Sequence, residues 1–196
     1  MKRWLALASV AVIGWTCWPL LRSRLLPAAG PPWLVVLDGY HRLDRALALQ
    51  AGAAHRRWPI LLITCPQTDQ PTSAQRARAN GPLLVLLEHP PLGGDTAGQA
   101  AALGRWLRDQ PGQQRPRRLL LLSDSHHFPR ARWAAQLAVG GLGTTVQPWP
   151  LNGQASSPEL WPAFRDALRL QLWRLSGSTG ARMVPAFQQY KRNQCF

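Results

Sequence analysis

Five short, uninterrupted apolar runs constrain the fold of this chain more than any other feature. They are WLVVLDG (33–39), WPILLIT (58–64), PLLVLLE (82–88), RRLLLLSD (117–124) and TTVQPWP (144–150). Continuous apolar runs, as opposed to alternating ones, are typical of strands that are buried on both faces. The runs therefore predict a parallel sheet that helices cover on both sides.

Segments with helical spacing separate these runs. The predicted helices lie at 41–52, 73–80, 95–110, 129–141 and 158–175. Asp95 or Thr96 is the expected N-cap of the third helix, and a proline stands in the first turn of the fourth. The alternation predicts a Rossmann-like, three-layer, doubly wound α/β domain over 33–176, with a mainly parallel sheet of about five strands. Residues 177–196 follow as a C-terminal tail.

An uncharged, mostly apolar run of 18 residues, Trp4 to Leu21, precedes this domain. The length is at the short limit for a transmembrane helix and is long for the apolar core of a cleaved signal peptide. We expect residues 1–24 to be an uncleaved signal anchor, a transmembrane helix that a Pro-rich linker at 25–32 joins to the domain. A cleaved signal and a buried or interfacial helix are the alternatives. Basic residues flank both ends, so the positive-inside rule gives no clear orientation.

The formal net charge of +14 raises the question of a nucleic-acid partner. The arginines are scattered, however, and no stripe of them alternates with aromatic residues, so we expect no nucleic-acid binding. Attraction to an anionic lipid surface fits the charge at least as well. The sequence indicates neither a cofactor nor an oligomeric state.

Several common site motifs are absent from the sequence. It contains no GxGxxG after the first strand, no GxxxxGK[ST], no GxSxG and no HExxH. Its three cysteines lack zinc-ligand spacing. Dinucleotide, P-loop, α/β-hydrolase and zinc-protease functions therefore have no support, and we predict no metal site.

Polar residues gather where the predicted strands end. In a doubly wound sheet, ligands bind beyond the carboxyl ends of the strands, near helix N-termini. The candidate site residues are Asp38, Gly39, Arg42, Thr96, Gln99, Ser123, Asp124, His126, His127 and Arg130.

Different chemistry is expected of these candidates. His127, Asp124 and Asp38 are the candidate catalytic residues, because a histidine there can serve as general acid or base. The others are candidate ligand-binding residues, and an arginine in a first helical turn, such as Arg130, suits a phosphate or a carboxylate. Structural roles are the alternatives: a tight turn at 38–39, solvated arginines, a capping threonine and surface histidines.

Four stretches resemble a known family in order and spacing. They are VVLDGYHRLDRALAL, ILLIT, GGDTAGQAAAL and LLLLSDSHHFPRARWAAQLAVGG, and the resemblance covers about 33–150. The family is the bacterial envelope domain-of-unknown-function family typified by YdcF, SanA and ElyC. The resemblance implies a Rossmann-like domain on a membrane anchor, outside the cytoplasm, with links to envelope integrity and cell-wall (peptidoglycan) precursor metabolism. Gly39, Arg42, Thr96, His127 and Arg130 match the family's motif residue by residue.

The chain also departs from the family's pattern. Asp38 stands where a glycine is usual, TCPQ replaces Ser-Gly-Gly after the second strand, and Gly98-Gln99 replaces Glu-Asn. Gln75 stands where an acidic residue is usual, so two acidic positions are lost. Either Asp38 and Asp124 substitute for them, or this chain binds without catalysis.

The expected function is that of a single-pass, membrane-anchored envelope protein that binds an anionic, phosphate-bearing or lipid-linked small molecule at the strand ends. A non-catalytic envelope scaffold and a cytoplasmic enzyme that binds a nucleotide or S-adenosylmethionine are the alternatives, the last on fold analogy alone. The closing helix carries apolar residues beside arginines, so it either covers the sheet or rests on a membrane surface. These residues are Trp161, Phe164, Leu168, Leu172, Trp173 and Leu175, with Arg165, Arg169 and Arg174.

Overall fold

A five-stranded sheet forms the centre of the computed structural model, which describes residues 14–15, 17–22, 25, 30–37, 43–48, 58–64, 72, 84–88, 95–125, 127–149 and 160–180. The strands are β1 (Trp33–Leu37), β2 (Ile60–Thr64), β3 (Leu84–Glu88), β4 (Arg118–Leu122) and β5 (Thr145–Pro148). Their order is β3-β2-β1-β4-β5, and every neighbouring pair is parallel. The predicted parallel α/β sheet is confirmed, with each strand at one of the five apolar runs.

The strand order reverses beside β1. The chain builds outward from β1 to β3 and then returns to the other side of β1 with β4, where Val36 pairs with Leu122. Because all strands are parallel, their carboxyl ends lie at one edge of the sheet. The switch point where doubly wound proteins bind ligands therefore lies at the carboxyl ends of β1 and β4.

Both faces of the sheet are buried, which explains why the strand sequences do not alternate. Successive side chains of a strand point to opposite faces. On β1, Val35 and Leu37 join one buried cluster, whereas Leu34 and Val36 join the other. A polar residue at any of these positions would lie in one of the two cores.

Helices cover the two faces and complete three layers. A helix over 43–48, named α1, contributes Leu43, Ala46 and Leu47 to the cluster that contains Leu34. The other face is covered by α2 (Thr96–Asp109) and α3 (Phe128–Val139). The last helix, α4 (Leu160–Ser176), packs on α2 and α3. The predicted helix at 73–80 lies outside the described residues.

The start of α2 decides between the two predicted caps. The backbone N–H of Gly98 donates to Oδ1 of Asp95 at 3.0 Å, so Asp95 is the N-cap and Thr96 is the first helical residue. This bond satisfies one of the N–H groups that a helix start leaves unpaired. Pro129 lies in the first turn of α3, as predicted.

Only part of the expected anchor falls within the described residues. Residues 17–22 are helical. Pro19 is buried, Leu20 packs against the larger core cluster, and Nη1 of Arg22 donates to the carbonyl of Gly141 at 3.2 Å. Since Gly141 follows the end of α3, this contact lies at the amino edge of the sheet. None of the helices in the described ranges is both long and apolar enough to cross a bilayer.

A glycine allows the three outer helices to pack closely. A Cβ at Gly104 of α2 would lie 2.5 Å from Cη2 of Trp173 and 3.1 Å from the carbonyl oxygen of Ala138. Trp173 is only 2% exposed, so its ring has little room to move away. Gly104 is therefore the position where α2 can approach both α3 and α4.

We predict that Gly104→Ala destabilises the protein by about 1–3 kcal/mol, the usual cost of overpacking a core. Alanine favours a helix over glycine by up to about 1 kcal/mol, which offsets part of this cost. Urea denaturation of the full chain in mild detergent measures the change. Gly112→Ala is the matched control, because a Cβ there meets nothing within 4 Å. Equal stability of the two variants would contradict the close packing.

Candidate functional site

Ser123 stands directly at the switch point of the sheet. Val36 pairs with Leu122, so Ser123 follows β4 beside the end of β1. It continues the alternation of Leu119 and Leu121, whose side chains face α2 and α3. Ser123 is 3% exposed, and its hydroxyl has no hydrogen-bond partner among the residues that the structure describes.

Gln99 lies in the first turn of α2 at the same edge. Its side chain is fully buried, and within the described part of the chain neither Nε2 nor Oε1 has a hydrogen-bond partner. A primary amide offers two donors and an acceptor, and a buried polar group left unpaired costs about 1–3 kcal/mol. An apolar residue of similar size would avoid this cost. The buried side chains of Gln99 and Ser123 therefore lower the stability of the ligand-free fold. Such a cost is typical of residues that bind a ligand.

Two ion pairs tie α4 to the helices beside this site. Nε of Arg130, in the first turn of α3, donates to Oδ2 of Asp166 at 2.6 Å. Nη1 of Arg169 pairs with Oδ2 of Asp95, the N-cap of α2. Asp166 and Arg169 are one turn apart on α4, so the N-termini of α2 and α3 are neighbours.

Among the described residues, three arginines share two carboxylates in this cluster, with Arg165 at 3.4 Å from Asp166. The N-termini of α2 and α3 add their partial positive charges. An anion is the ligand that such a cluster favours. Within the described ranges, no group of three or more His, Cys, Asp or Glu side chains could hold a metal ion.

The remaining described candidates lie on the turn between β4 and α3, or at the start of α2. His127 occupies the N-cap position of α3; its side chain makes no capping hydrogen bond and is exposed. Its backbone N–H donates to the carbonyl of Asp124 at 3.0 Å, and Asp124 is half-buried. Thr96 is half-buried at the start of α2. Catalytic roles for His127 and Asp124 stay predictions.

The structure thus brings six of the ten predicted site residues to one edge. These are Thr96, Gln99, Ser123, Asp124, His127 and Arg130. The other four, Asp38, Gly39, Arg42 and His126, lie outside the described residues. Their roles stay predictions.

Sequence reasoning missed the partner of Arg130. Asp166 falls on the buried stripe of α4 with Ala163, Leu170 and Trp173. Aspartate is almost never buried unless it is paired, so its place on that stripe was a usable signal for a buried cation partner. The sequence did not show that this cation is Arg130, 36 positions away.

No family model, no curated protein and no solved structure matches the chain. Functional conclusions therefore rest on the chain's own residues.

We predict that Asp166→Asn destabilises the protein by about 3–5 kcal/mol, because it leaves Arg130 without its counter-ion in a mostly buried position. Denaturation of the full chain by urea in mild detergent measures the loss. Asp109→Asn is the control, since Asp109 is exposed at the end of α2, where removal of a negative charge has little cost. If Asp166→Asn were as stable as this control, the ion pair of Arg130 with Asp166 would not stabilise the fold.

Proposed function

We propose that this chain is a membrane-anchored protein of the bacterial envelope, a member of the family typified by YdcF, SanA and ElyC. Its site at the carboxyl edge binds an anionic, phosphate-bearing small molecule, free or lipid-linked. The observation that carries the proposal is the buried amide of Gln99 and hydroxyl of Ser123, which have no hydrogen-bond partner among the described residues beside the positive ends of α2 and α3. The anchor lies within the segment 1–24, ahead of Pro19 and Leu20, which pack on the domain.

The donors of this edge fit a phosphate group. The hydroxyl of Ser123 and Nε2 of Gln99 can donate to phosphate oxygens, and Oε1 of Gln99 can accept from a hydroxyl of the same ligand. Arg130 commits Nε to Asp166, which leaves its two Nη groups for an anion. The hydrogen bonds that Ser123, Gln99 and Arg130 donate are stronger with a charged oxygen than with a neutral one.

His127 is the group that would move a proton if the bound molecule reacts. It is exposed at the start of α3, a few residues after Ser123 and Asp124. An imidazole can exchange a proton with a ligand atom within hydrogen-bond reach. The binding function does not depend on this step.

The non-catalytic scaffold is the second candidate, and one contact favours it. Arg130 was predicted to hold the ligand, yet it pairs with a carboxylate of its own chain at 2.6 Å. An arginine neutralised in this way contributes less charge to a ligand. In a scaffold, Gln99 and Ser123 would have no ligand to satisfy them.

We predict opposite effects of Gln99→Met on stability and on binding. Methionine has a similar shape without buried polar atoms, so the ligand-free protein gains about 1 kcal/mol. For a chain of this size, this gain raises the Tm by about 2–4 °C. The parent Tm also rises with a bound ligand by mass action, and the variant loses that increase. Thermal unfolding of the full chain in detergent, with inorganic phosphate, phosphorylated sugars, nucleotides, S-adenosylmethionine and prenyl phosphates, measures both effects.

Gln113→Met is the matched control, because Gln113 is exposed in the turn after α2. It should change neither the ligand-free Tm nor the increase with ligand. Ser123→Ala should behave like Gln99→Met. If no phosphate-bearing compound raises the parent Tm, the proposed site is wrong and the scaffold is favoured. A nucleotide or S-adenosylmethionine response that survives in Gln99→Met would place binding elsewhere.

A further inference from the structure

The outward face of α4 is apolar. Trp161, Phe164, Leu168, Leu172 and Leu175 are between 41% and 74% exposed. Their spacings of three and four residues place them on one stripe along the helix. We name these five residues the outer stripe.

The opposite face of the same helix is already buried. Leu170 and Trp173 pack against α2 and α3, and Ala163 and the paired Asp166 are buried on the same face. A surface helix normally presents polar side chains on the face that points away from the core. Of the six apolar residues noted from the sequence, only Trp173 is buried. Packing within the domain therefore does not explain the outer stripe.

Arginines lie beside the outer stripe. Arg165 is on one border, next to Trp161 and Leu168 in the helical repeat, and its side chain is 39% exposed. Arg174 lies near the end of α4, between the outer stripe and the buried face, with its guanidinium 4.1 Å from the ring centroid of Trp15. An apolar stripe with cationic residues beside it is typical of helices that lie in a membrane interface.

The end of α4 that carries Arg174 has a local excess of positive charge. Arg108 lies nearby, over the ring of Trp173 at 4.4 Å. Burial, and then the charge of Arg108, lower the pKa of Arg174. Within the described part of the chain, neither arginine pairs with a carboxylate. Anions are favoured beside such a pair.

The N-terminal segment reaches the same end of α4. Nη1 of Arg174 donates to the carbonyl of Trp15 at 3.4 Å. Trp18 and Leu21, a few residues further on, are 52% and 51% exposed. The apolar run of the N-terminus therefore enters the described structure next to the outer stripe.

We propose that the outer stripe of α4 lies on an anionic lipid bilayer, with its apolar side chains at the boundary of headgroups and acyl chains and its arginines against lipid phosphates. The observations favour lipid over a second copy of the chain, because a second copy would bring the same positive charges to the contact. The net charge of +14 also favours contact with an anionic lipid surface over contact with a second copy. This contact shares Arg165 with the charged cluster beside the proposed anion site, but it does not need Gln99 or Ser123.

The test places an environment-sensitive fluorophore on the stripe of the full chain. Leu168→Cys is labelled with nitrobenzoxadiazole in a background where Cys17, Cys65 and Cys195 are replaced by serine. Gln113→Cys, exposed on the turn after α2, is the matched control. The protein is mixed with vesicles of phosphatidylcholine, with or without phosphatidylglycerol, and flotation of the vesicles is measured in parallel.

We expect a blue shift at position 168, and quenching by nitroxide-labelled lipid, with the anionic vesicles. Both effects should weaken in phosphatidylcholine alone and at high salt, whereas position 113 stays in water. Three outcomes would overturn the proposal. In the first, the chain floats with the vesicles while position 168 stays in water, so the anchor alone binds. In the second, the chain does not float. In the third, the blue shift appears without vesicles and grows with protein concentration, which indicates self-association. Loss of the anion site would leave all these readings unchanged.

Discussion

The ion pair of Arg130 with Asp166 holds the outer helix layer in place. Asp166 is 1% exposed, so its carboxylate would be very costly without a cation. The pair joins the second turn of α4 to the first turn of α3, and the contact of Arg169 with Asp95 joins the next turn to α2. Apolar packing of α4 is limited to one face, so these charges fix where α4 lies along its neighbours.

The sheet was predictable because its physical requirement is local. A strand buried on both faces must be apolar at its buried positions, and the four buried residues of both WLVVL and RLLLL meet that requirement without reference to any other part of the chain. The start of α2 was predictable to within one residue, since both Asp95 and Thr96 can cap a helix. Hydrogen bonding to Gly98 selects Asp95.

The location of the site was predictable from the sequence, but the hydrogen-bond and ion-pair partners of its residues were not. The rule for doubly wound sheets located Ser123 and Gln99 at the strand ends. It did not show that both are buried without a hydrogen-bond partner among the described residues, because burial there depends on how α2 and α3 pack over the sheet. It also treated Arg130 as free for a ligand, although a carboxylate 36 positions along the chain holds its Nε. Local patterns carry no information on such a pairing.

The position of α4 connects the two proposals. Its 17 residues span about 25 Å at the usual rise of a helix, from the edge that carries the site to the edge where the N-terminal segment packs. A domain held by an anchor alone could stand with its carboxyl edge far from the bilayer. Contact along the whole outer stripe lays α4 flat, which brings the N-termini of α2 and α3 near the headgroups. A phosphate attached to a lipid could then reach Ser123 and Gln99 without leaving the membrane. A soluble phosphate would gain nothing from this orientation, so contact along the outer stripe favours the lipid-linked form of the ligand.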